Sequence, residues 1–236
     1  PMSAASARLP CVAIRLRQAG IEDFAVLERE EEMGGTWRDN TYPGCRCDVP
    51  SHLYSYSFAP NPNWSSTFSP QAEIWDYMRD CSDRFGITPK IRCGHGVDGA
   101  AWNDELARWE LGTAGGPLTA DVLVWGTGVL AVPMIPALPG LESFEGTCFH
   151  SATWDHDHDL TGRRVAVIGT GASAIQFVPQ IQPRVGRLSL FQRTPPWIMP
   201  RPERPITEIE RRVYRAVPQA QRAMRAGIYW ARESFV

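Results

Sequence analysis

A short glycine-rich stretch carries the clearest chemical signal in the sequence. The residues RVAVIGTGASAIQF run from Arg164 to Phe177, and Gly169, Gly171 and Ala174 have the spacing Gly-x-Gly-x-x-Ala between a strand pattern and a helix pattern. Glycines in such a turn let the backbone approach a pyrophosphate, whose charge then lies at the helix N-terminus. The spacing from Gly169 to Ala174 therefore predicts a dinucleotide-binding turn.

The strand that follows this helix indicates which nucleotide binds. It ends in FQRT, at residues 191 to 194. About 20 residues past the glycine turn, NAD-binding sites carry Asp or Glu, which binds the ribose 2′-hydroxyl. Arg193 can instead pair with a 2′-phosphate. We therefore predict NADPH, with Arg193 as a contact; the alternative is that Arg193 is a solvated surface residue.

Glu28 presents a similar question near the start of the chain. It ends the stretch FAVLE, which reads as a buried strand after a helix that stops at Gly20. A nucleotide unit that used Glu28 on a ribose would need a glycine turn about 20 residues upstream. Residues 1 to 10 contain no glycine. Glu28 is therefore either a surface acid or part of a first nucleotide unit that lacks its phosphate-binding turn.

Composition gives no support for a nucleic-acid or membrane partner. The 236 residues are 43% hydrophobic and carry a formal net charge of −2, so no chain-wide attraction to polyanions is expected. Residues 122 to 141 are uncharged and about as long as a membrane span. Pro133, Pro136 and Pro139 would interrupt a helix there, so we predict a buried strand at Val122–Trp125 followed by a proline-rich crossover.

The cysteines and histidines do not form a recognisable metal motif. The six cysteines contain no Cys-x-x-Cys pair, which favours free thiols and a cytoplasmic location. The stretch HDHD at residues 156 to 159 alternates histidine and aspartate on a polar loop, where such residues are more often solvated than metal-bound. No metal site is predicted.

The remaining patterns predict the elements that surround these residues. Residues 30 to 70 read as irregular, and residues 70 to 86 as an amphipathic helix with Ile74, Tyr77, Met78 and Cys81 on its apolar face. Residues 97 to 111 alternate like antiparallel strands. Beyond Arg201, the apolar spacing predicts two helices that are broken near Pro218.

Two further motifs resemble those of a known enzyme family. Glu28, then GGTW at 34 to 37 and YPGCRCD at 42 to 48, are similar to the FAD-side signature of flavin-dependent monooxygenases. The stretch FEGTCFHSATWD resembles the Baeyer–Villiger monooxygenase fingerprint, Phe-x-Gly-x-x-x-His-x-x-x-Trp-Pro/Asp. Its matching residues are Phe144, Gly146, His150, Trp154 and Asp155. Related enzymes that oxidise nitrogen or sulfur end this fingerprint with tyrosine or phenylalanine and a basic residue.

The resemblance implies an FAD- and NADPH-dependent monooxygenase that uses O2 to insert oxygen next to the carbonyl of a small-molecule ketone, giving an ester or lactone. It implies that Asp48 is the catalytic aspartate beside the flavin. It also implies that the fingerprint histidine and tryptophan couple movements of the FAD and NADPH domains. The FAD-side contacts that it implies are Glu28, Gly34, Gly35, Thr36, Trp37, Arg46, Cys47, Asp48, Tyr54 and Val97. The NADPH-side contacts that it implies are Gly169, Thr170, Gly171, Ala172, Ser173, Ala174, Ile175, Arg193 and Thr194.

The predicted fold class is α/β, with two Rossmann-like dinucleotide-binding units, the first incomplete, and a helical insertion. Residues 1–143 are assigned to a partial FAD-binding domain, 144–160 to a linker, 161–200 to a partial NADPH-binding unit and 201–236 to the insertion. The first glycine fingerprint of the family and its downstream arginine are missing from the sequence. The alternatives are an N- or S-oxygenating enzyme and a catalytically inactive fragment with residual nucleotide binding.

Overall fold

The chain divides into two units in the computed structural model, which describes residues 5–128, 130, 132–198 and 201–234. The unit that we call the N-terminal unit contains the described residues of 5–38 and 75–130. The unit that we call the C-terminal unit contains those of 39–74 and 132–234. Each unit therefore draws on two separated stretches of sequence.

Two helices supply much of the buried surface of the N-terminal unit. The helix α1 spans Ala5–Gln18, and Gly20 follows it with a φ of +80°, as predicted for a glycine stop. Most of α4 (Gln71–Arg84) also belongs to this unit. Its residues Ile74, Tyr77, Met78 and Cys81 are buried, which confirms the predicted apolar face. The short helix α2 (Thr36–Asp39) begins in this unit.

The N-terminal unit also contains two small sheets. A parallel pair joins β1 (Val26–Leu27) to β2 (Ile91–Arg92). An antiparallel sheet contains β3 (Val97–Asn103), β4 (Arg108–Thr113) and β5 (Leu118–Ala120), in that order. The antiparallel strands predicted for residues 97 to 111 are therefore confirmed.

The two buried strands predicted for this unit differ from the observed structure. The first is reduced to Val26–Leu27, and both residues are only half-buried. The second prediction is wrong: residues 122 to 125 form no strand, and the side chains of Val122 and Trp125 are 75% and 59% exposed. No neighbouring strand pairs with residues 122–125 within the described part of the chain. An apolar run forms a stable strand only when another strand pairs with it.

The C-terminal unit contains the predicted strand, glycine turn, helix and strand. The strand β6 (Arg164–Ile168) pairs in parallel with β7 (Arg187–Phe191) over all five residues, and α5 (Ala172–Ile181) connects them. Parallel strands require such a crossover connection. One buried core cluster of this unit consists of Tyr42, Cys45, Leu160, Val167, Ala174, Phe177 and Ile181.

Three more helices complete the C-terminal unit. They are α3 (Ser51–Tyr54), α6 (Glu208–Ala216) and α7 (Pro218–Glu233), so the predicted break near Pro218 is confirmed. A capping box between Thr207 and Glu210 begins α6. Arg225 of α7 donates hydrogen bonds to the main-chain oxygens of Leu53 and Ser55 at 2.9 and 3.0 Å, which holds α7 against the end of α3. Among the described residues, no helix is both long and apolar enough to cross a membrane.

Candidate functional site

The glycine turn of the C-terminal unit has the geometry that a dinucleotide requires. Gly169 has a φ of +105°, which favours glycine, and its amide donates a hydrogen bond to the Phe191 oxygen at 2.9 Å. Gly171 is the N-cap of α5, so Ala172 to Ile175 form the first turn of the helix. A Cβ added at Gly169 or Gly171 would meet no heavy atom within 4 Å. The turn is thus open, and the first amides of α5 are positioned to bind an anion.

Arg193 lies at the end of β7, close to this turn. The hydrogen bond between the Gly169 amide and the Phe191 oxygen places the end of β7 beside the turn, two residues before Arg193. Arg193 and Thr194 are exposed, and Arg193 has no hydrogen-bond or ion-pair partner within the described residues. A guanidinium in this position is available to an anionic ligand.

The predicted catalytic aspartate lies on a loop of the same unit, between Tyr42 and α3. The Oδ1 atom of Asp48 is buried and has no hydrogen-bond partner among the described residues. Buried carboxylate oxygens are normally hydrogen-bonded. Asp48 Oδ1 is therefore a buried acceptor whose hydrogen-bonding capacity is unused among the described residues.

Two arginines and a glutamate surround the backbone of this loop. Glu203 forms ion pairs with Arg46 through Oε1 and with Arg201 through Oε2, the second at 2.8 Å. Arg201 also lies 3.5 Å from the Cys47 oxygen. Burial and the neighbouring Arg46 guanidinium lower the pKa of Arg201, whereas the Asp48 carboxylate opposes this shift. Two guanidinium groups, of Arg46 and Arg201, and two carboxylates, of Asp48 and Glu203, thus lie on or beside this loop.

The cysteines of the loop are buried and not activated. Cys47 is 1% exposed, and its Sγ accepts a hydrogen bond from the Val49 amide at 3.3 Å. Burial raises the pKa of Cys47 to about 12 and that of Cys45 to about 11. Since the thiolate is the reactive form, neither thiol can serve as a nucleophile near neutral pH.

The fingerprint residues are arranged around a short helical turn of the C-terminal unit. His150 Nδ1 accepts a hydrogen bond from the Ala152 amide at 3.1 Å and so caps this turn. The Trp154 ring lies 5.1 Å from the ring of Phe177 in α5. Asp155 Oδ1 accepts hydrogen bonds from the amides of Asp157 and His158. Trp154 thus joins the fingerprint to α5, the helix that begins at the glycine turn.

The first part of the fingerprint lies apart from these contacts. The Phe144 side chain is 59% exposed. A Cβ at Gly146 would collide with the Phe144 ring, so glycine is required there for this ring position.

Four of the predicted FAD-side residues form a compact turn in the N-terminal unit. Gly34 and Gly35 have φ angles of +142° and +50°, and Thr36 and Trp37 are buried. A Cβ at Gly34 would lie 2.7 Å from Nε1 of Trp75, which donates a hydrogen bond to the Met33 oxygen. The glycine is thus explained by packing and backbone conformation alone.

Glu28 is partly occupied by contacts within the N-terminal unit. Its Oε1 atom accepts a hydrogen bond from the Glu30 amide at 3.1 Å and lies 3.6 Å from Nη1 of Arg38. Val97, another predicted contact, begins β3 and is half-buried. Tyr54, in the C-terminal unit, is half-buried at the end of α3. Their contacts with FAD stay predictions.

The HDHD stretch takes part in local hydrogen bonds. His156 Nε2 lies 2.8 Å from Thr41 Oγ1, and Asp159 accepts hydrogen bonds from the amide and hydroxyl of Thr161. Within the described residues, no cluster of three histidine, cysteine or acidic side chains is arranged to hold a metal ion.

Three site residues were not identified from the sequence. Arg201 and Glu203 contact the Asp48 loop from more than 150 positions away, and Gln176 contacts it from α5 at a separation of 130 residues. The position of Gln176 directly after the glycine turn could have indicated a role. No pattern in the sequence indicated that Glu203 would bridge two arginines.

Comparisons with known proteins identify relatives that share this architecture. A Baeyer–Villiger monooxygenase of Streptomyces coelicolor is 58% identical over 218 residues, which cover 92% of this chain and 42% of the relative. A solved structure of oxidized steroid monooxygenase bound to NADP superposes with a TM-score of 0.79 at 38% identity, over 88% of this chain and 40% of that chain. A structure of OTEMO in complex with FAD and NADP superposes with a TM-score of 0.77 at 33% identity, over 86% of this chain and 41% of that chain.

These similarities confirm the α/β class with Rossmann-like units and the resemblance to Baeyer–Villiger monooxygenases. The chain spans about two fifths of the length of the curated relatives that it matches. The sequence model of flavin-binding monooxygenase-like proteins matches residues 15–205. The chain belongs to the flavin-binding monooxygenase-like family.

Proposed function

We propose that this chain functions in an NADPH- and FAD-dependent monooxygenase reaction, which inserts one oxygen atom from O2 next to a ketone carbonyl. The observation that carries the proposal is the open glycine turn at the start of α5, with the exposed and unpartnered Arg193 at the end of β7 among the described residues. It is supported by relatives that are named Baeyer–Villiger monooxygenases.

The residues of the C-terminal unit fit NADPH. The main chain at Gly169 and Gly171 leaves space for a pyrophosphate, and the first amides of α5 supply hydrogen-bond donors. Arg193 and Thr194 would bind the 2′-phosphate, because a guanidinium can donate two parallel hydrogen bonds to phosphate oxygens. The exposed position of both residues agrees with this role.

The loop that carries Asp48 fits a cofactor that offers hydrogen-bond donors. Its buried Oδ1 atom has no partner in the described part of the chain, and a bound group or a cation could satisfy it. FAD, when bound and reduced by NADPH, supplies the activation of O2. The role of Asp48 is to hold a positive charge or a proton donor beside that cofactor, while Glu203 keeps Arg46 and Arg201 in place.

A ketone is favoured over an amine or a sulfide as the substrate. The fingerprint ends in Trp154-Asp155, whereas the related nitrogen- and sulfur-oxidising enzymes end it with tyrosine or phenylalanine and a basic residue. A cytoplasmic location agrees with the six free cysteines of the chain.

Flavin retention and product analysis test this proposal. The purified chain is incubated with FAD, separated from free flavin by gel filtration, and supplied with NADPH, ¹⁸O2 and either a cyclic ketone or a thioether. We expect a flavin spectrum in the protein peak, ketone-dependent oxidation of NADPH, and an ester or lactone with one ¹⁸O atom. Asp48→Asn should retain the flavin and lower the ketone-dependent rate at least about tenfold.

Other outcomes contradict the proposal in distinct ways. A sulfoxide product without any ester would assign the chain to sulfur oxygenation. A colourless protein peak that still binds NADP⁺ would restrict the function of this chain to nucleotide binding. A wild-type rate in Asp48→Asn would remove Asp48 from the reaction.

A further inference from the structure

The side-chain amide of Gln176 binds the loop that carries Asp48. Its Oε1 atom accepts hydrogen bonds from the Tyr42 hydroxyl and the Arg46 amide, both at 3.1 Å. Its Nε2 atom donates to the Arg46 carbonyl oxygen at 2.9 Å. One side chain therefore pairs both main-chain groups of Arg46, as a neighbouring strand would.

The loop also packs closely against α5. A Cβ at Gly44, which has a φ of +78°, would lie 3.0 Å from the main-chain oxygen of Gln176. Tyr42 is buried and meets the Phe177 ring edge-on at a centroid distance of 6.1 Å. Burial raises the pKa of Tyr42, so its hydroxyl remains a donor to Gln176 at all physiological pH values. The loop and the helix thus share a fitted surface.

Gln176 lies in the helix that begins at the glycine turn. It is five residues beyond Gly171, the N-cap of α5, and Asp48 is two residues beyond Arg46. A short α-helix is stiff, so a displacement of its first turn also displaces Gln176. The two hydrogen bonds to Arg46 then transfer that displacement to the backbone next to Asp48.

We infer that Gln176 is a positioning residue that fixes the Asp48 loop to the nucleotide-binding helix, so that NADP(H) binding at α5 orders this loop. The inference rests on the proposed function, because it takes α5 as the nucleotide-binding helix. It adds a link between the two predicted cofactor regions of the C-terminal unit through a residue that touches neither reacting group.

Hydrogen exchange of the full 236-residue chain tests this inference. The variant Gln176→Leu keeps a similar volume and removes all three hydrogen bonds, and Gln182→Leu is the matched control at an exposed position near the end of the same helix. Without nucleotide, we expect the Arg46 amide to exchange about fivefold faster in Gln176→Leu than in the wild type. In Gln182→Leu, we expect it to exchange at the wild-type rate.

The effect of NADP⁺ separates positioning from simple stabilisation. At nucleotide concentrations that saturate each protein, we expect exchange of residues 42 to 48 to slow at least about threefold in the wild type and in Gln182→Leu. In Gln176→Leu, we expect NADP⁺ to protect the glycine turn but not the loop. A residue that merely stabilised the fold would leave this nucleotide-linked protection in place.

The remaining outcomes are also decisive. Wild-type exchange at Arg46 in Gln176→Leu, or full protection of its loop by NADP⁺, would overturn the inference. If this variant does not fold, Gln176→Glu keeps the acceptor for Tyr42 and the Arg46 amide but loses the donor to the carbonyl, and it should show part of the same loss. If the wild type does not bind NADP⁺, the proposed function fails, and the nucleotide-free comparison still decides whether Gln176 holds the loop.

Discussion

Two apolar strands that each precede a charged residue look alike in sequence, but the parallel pairs that they form differ in structure. In the C-terminal unit, β6 and β7 pair over five residues, and the arginine beyond them is exposed. In the N-terminal unit, β1 and β2 pair over two residues, and Glu28 at their end is near Arg38. A charged residue after an apolar strand is therefore not enough to define a ligand contact, because its neighbours decide whether the charge is available.

The difference has a physical cause in the partners of each strand. The strands β6 and β7 are joined by α5, which packs Ala174, Phe177 and Ile181 into the core of the unit. Among the described residues, the strand β1 pairs only with the short strand β2, which lies far away in the sequence. Strand stability depends on side-chain packing against neighbouring strands. Two segments with similar β-propensity can therefore form strands of different length.

The largest expected effect is at the glycine turn. Gly171→Val places a side chain where nothing lies within 4 Å, so the free energy of unfolding should change by less than about 1 kcal/mol. The added side chain occupies the space that a pyrophosphate needs. We expect the dissociation constant for NADP⁺, measured by calorimetry, to rise at least about 100-fold, or about 2.7 kcal/mol.

A matched control comes from the antiparallel sheet of the other unit. A Cβ at Gly99 in β3 would also meet nothing within 4 Å. Gly99→Val should leave NADP⁺ affinity unchanged within about twofold. Equal losses in both valine variants, or none in either, would remove the distinction between the two units.

The second-largest expected effect concerns Arg193, whose charge has no partner among the described residues. Arg193→Ala should weaken NADP⁺ binding about 30-fold, in the range of hydrogen bonds to a charged group, and leave NAD⁺ binding unchanged. The exposed Arg187, which is the first residue of β7, provides the control. Arg187→Ala should change the dissociation constant for NADP⁺ by less than about twofold. Equal losses for NADP⁺ and NAD⁺ would show that Arg193 does not contact the 2′-phosphate.

The smallest expected effect concerns Glu28, whose carboxylate already lies near Arg38. The side chains of Arg38 and Glu28 are 15% and 24% exposed, and their charged atoms are 3.6 Å apart. A double-mutant cycle with Glu28→Gln and Arg38→Met, followed by urea unfolding, should give a coupling of about 0.5–1 kcal/mol. A coupling near zero would mean that Glu28 is as available as Arg193.

The elements that could be predicted from the sequence are those whose patterns lie within a short stretch of the chain. The glycine turn, α4 and the break at Pro218 each depend on residues within a short window, so spacing alone predicted them. The residues Val122–Trp125 have an apolar strand pattern, but Val122, Val124 and Trp125 are exposed, because a strand also needs a partner that the pattern does not reveal.

The surroundings of Asp48 could not be predicted in the same way. Gln176, Arg201 and Glu203 reach its loop from distant parts of the chain, and no local pattern specifies such contacts. The motif resemblance identified Asp48 as a candidate. The structure adds the hydrogen bonds and ion pairs that hold its loop.

The most direct test of the account is a calorimetric titration of the wild-type chain with NADP⁺ and, separately, with NAD⁺. We expect NADP⁺ to bind at one site and at least about 30-fold more tightly than NAD⁺, because Arg193 can pair with the 2′-phosphate. Equal affinities, or tighter binding of NAD⁺, would contradict the assignment of the C-terminal unit as an NADPH-binding unit.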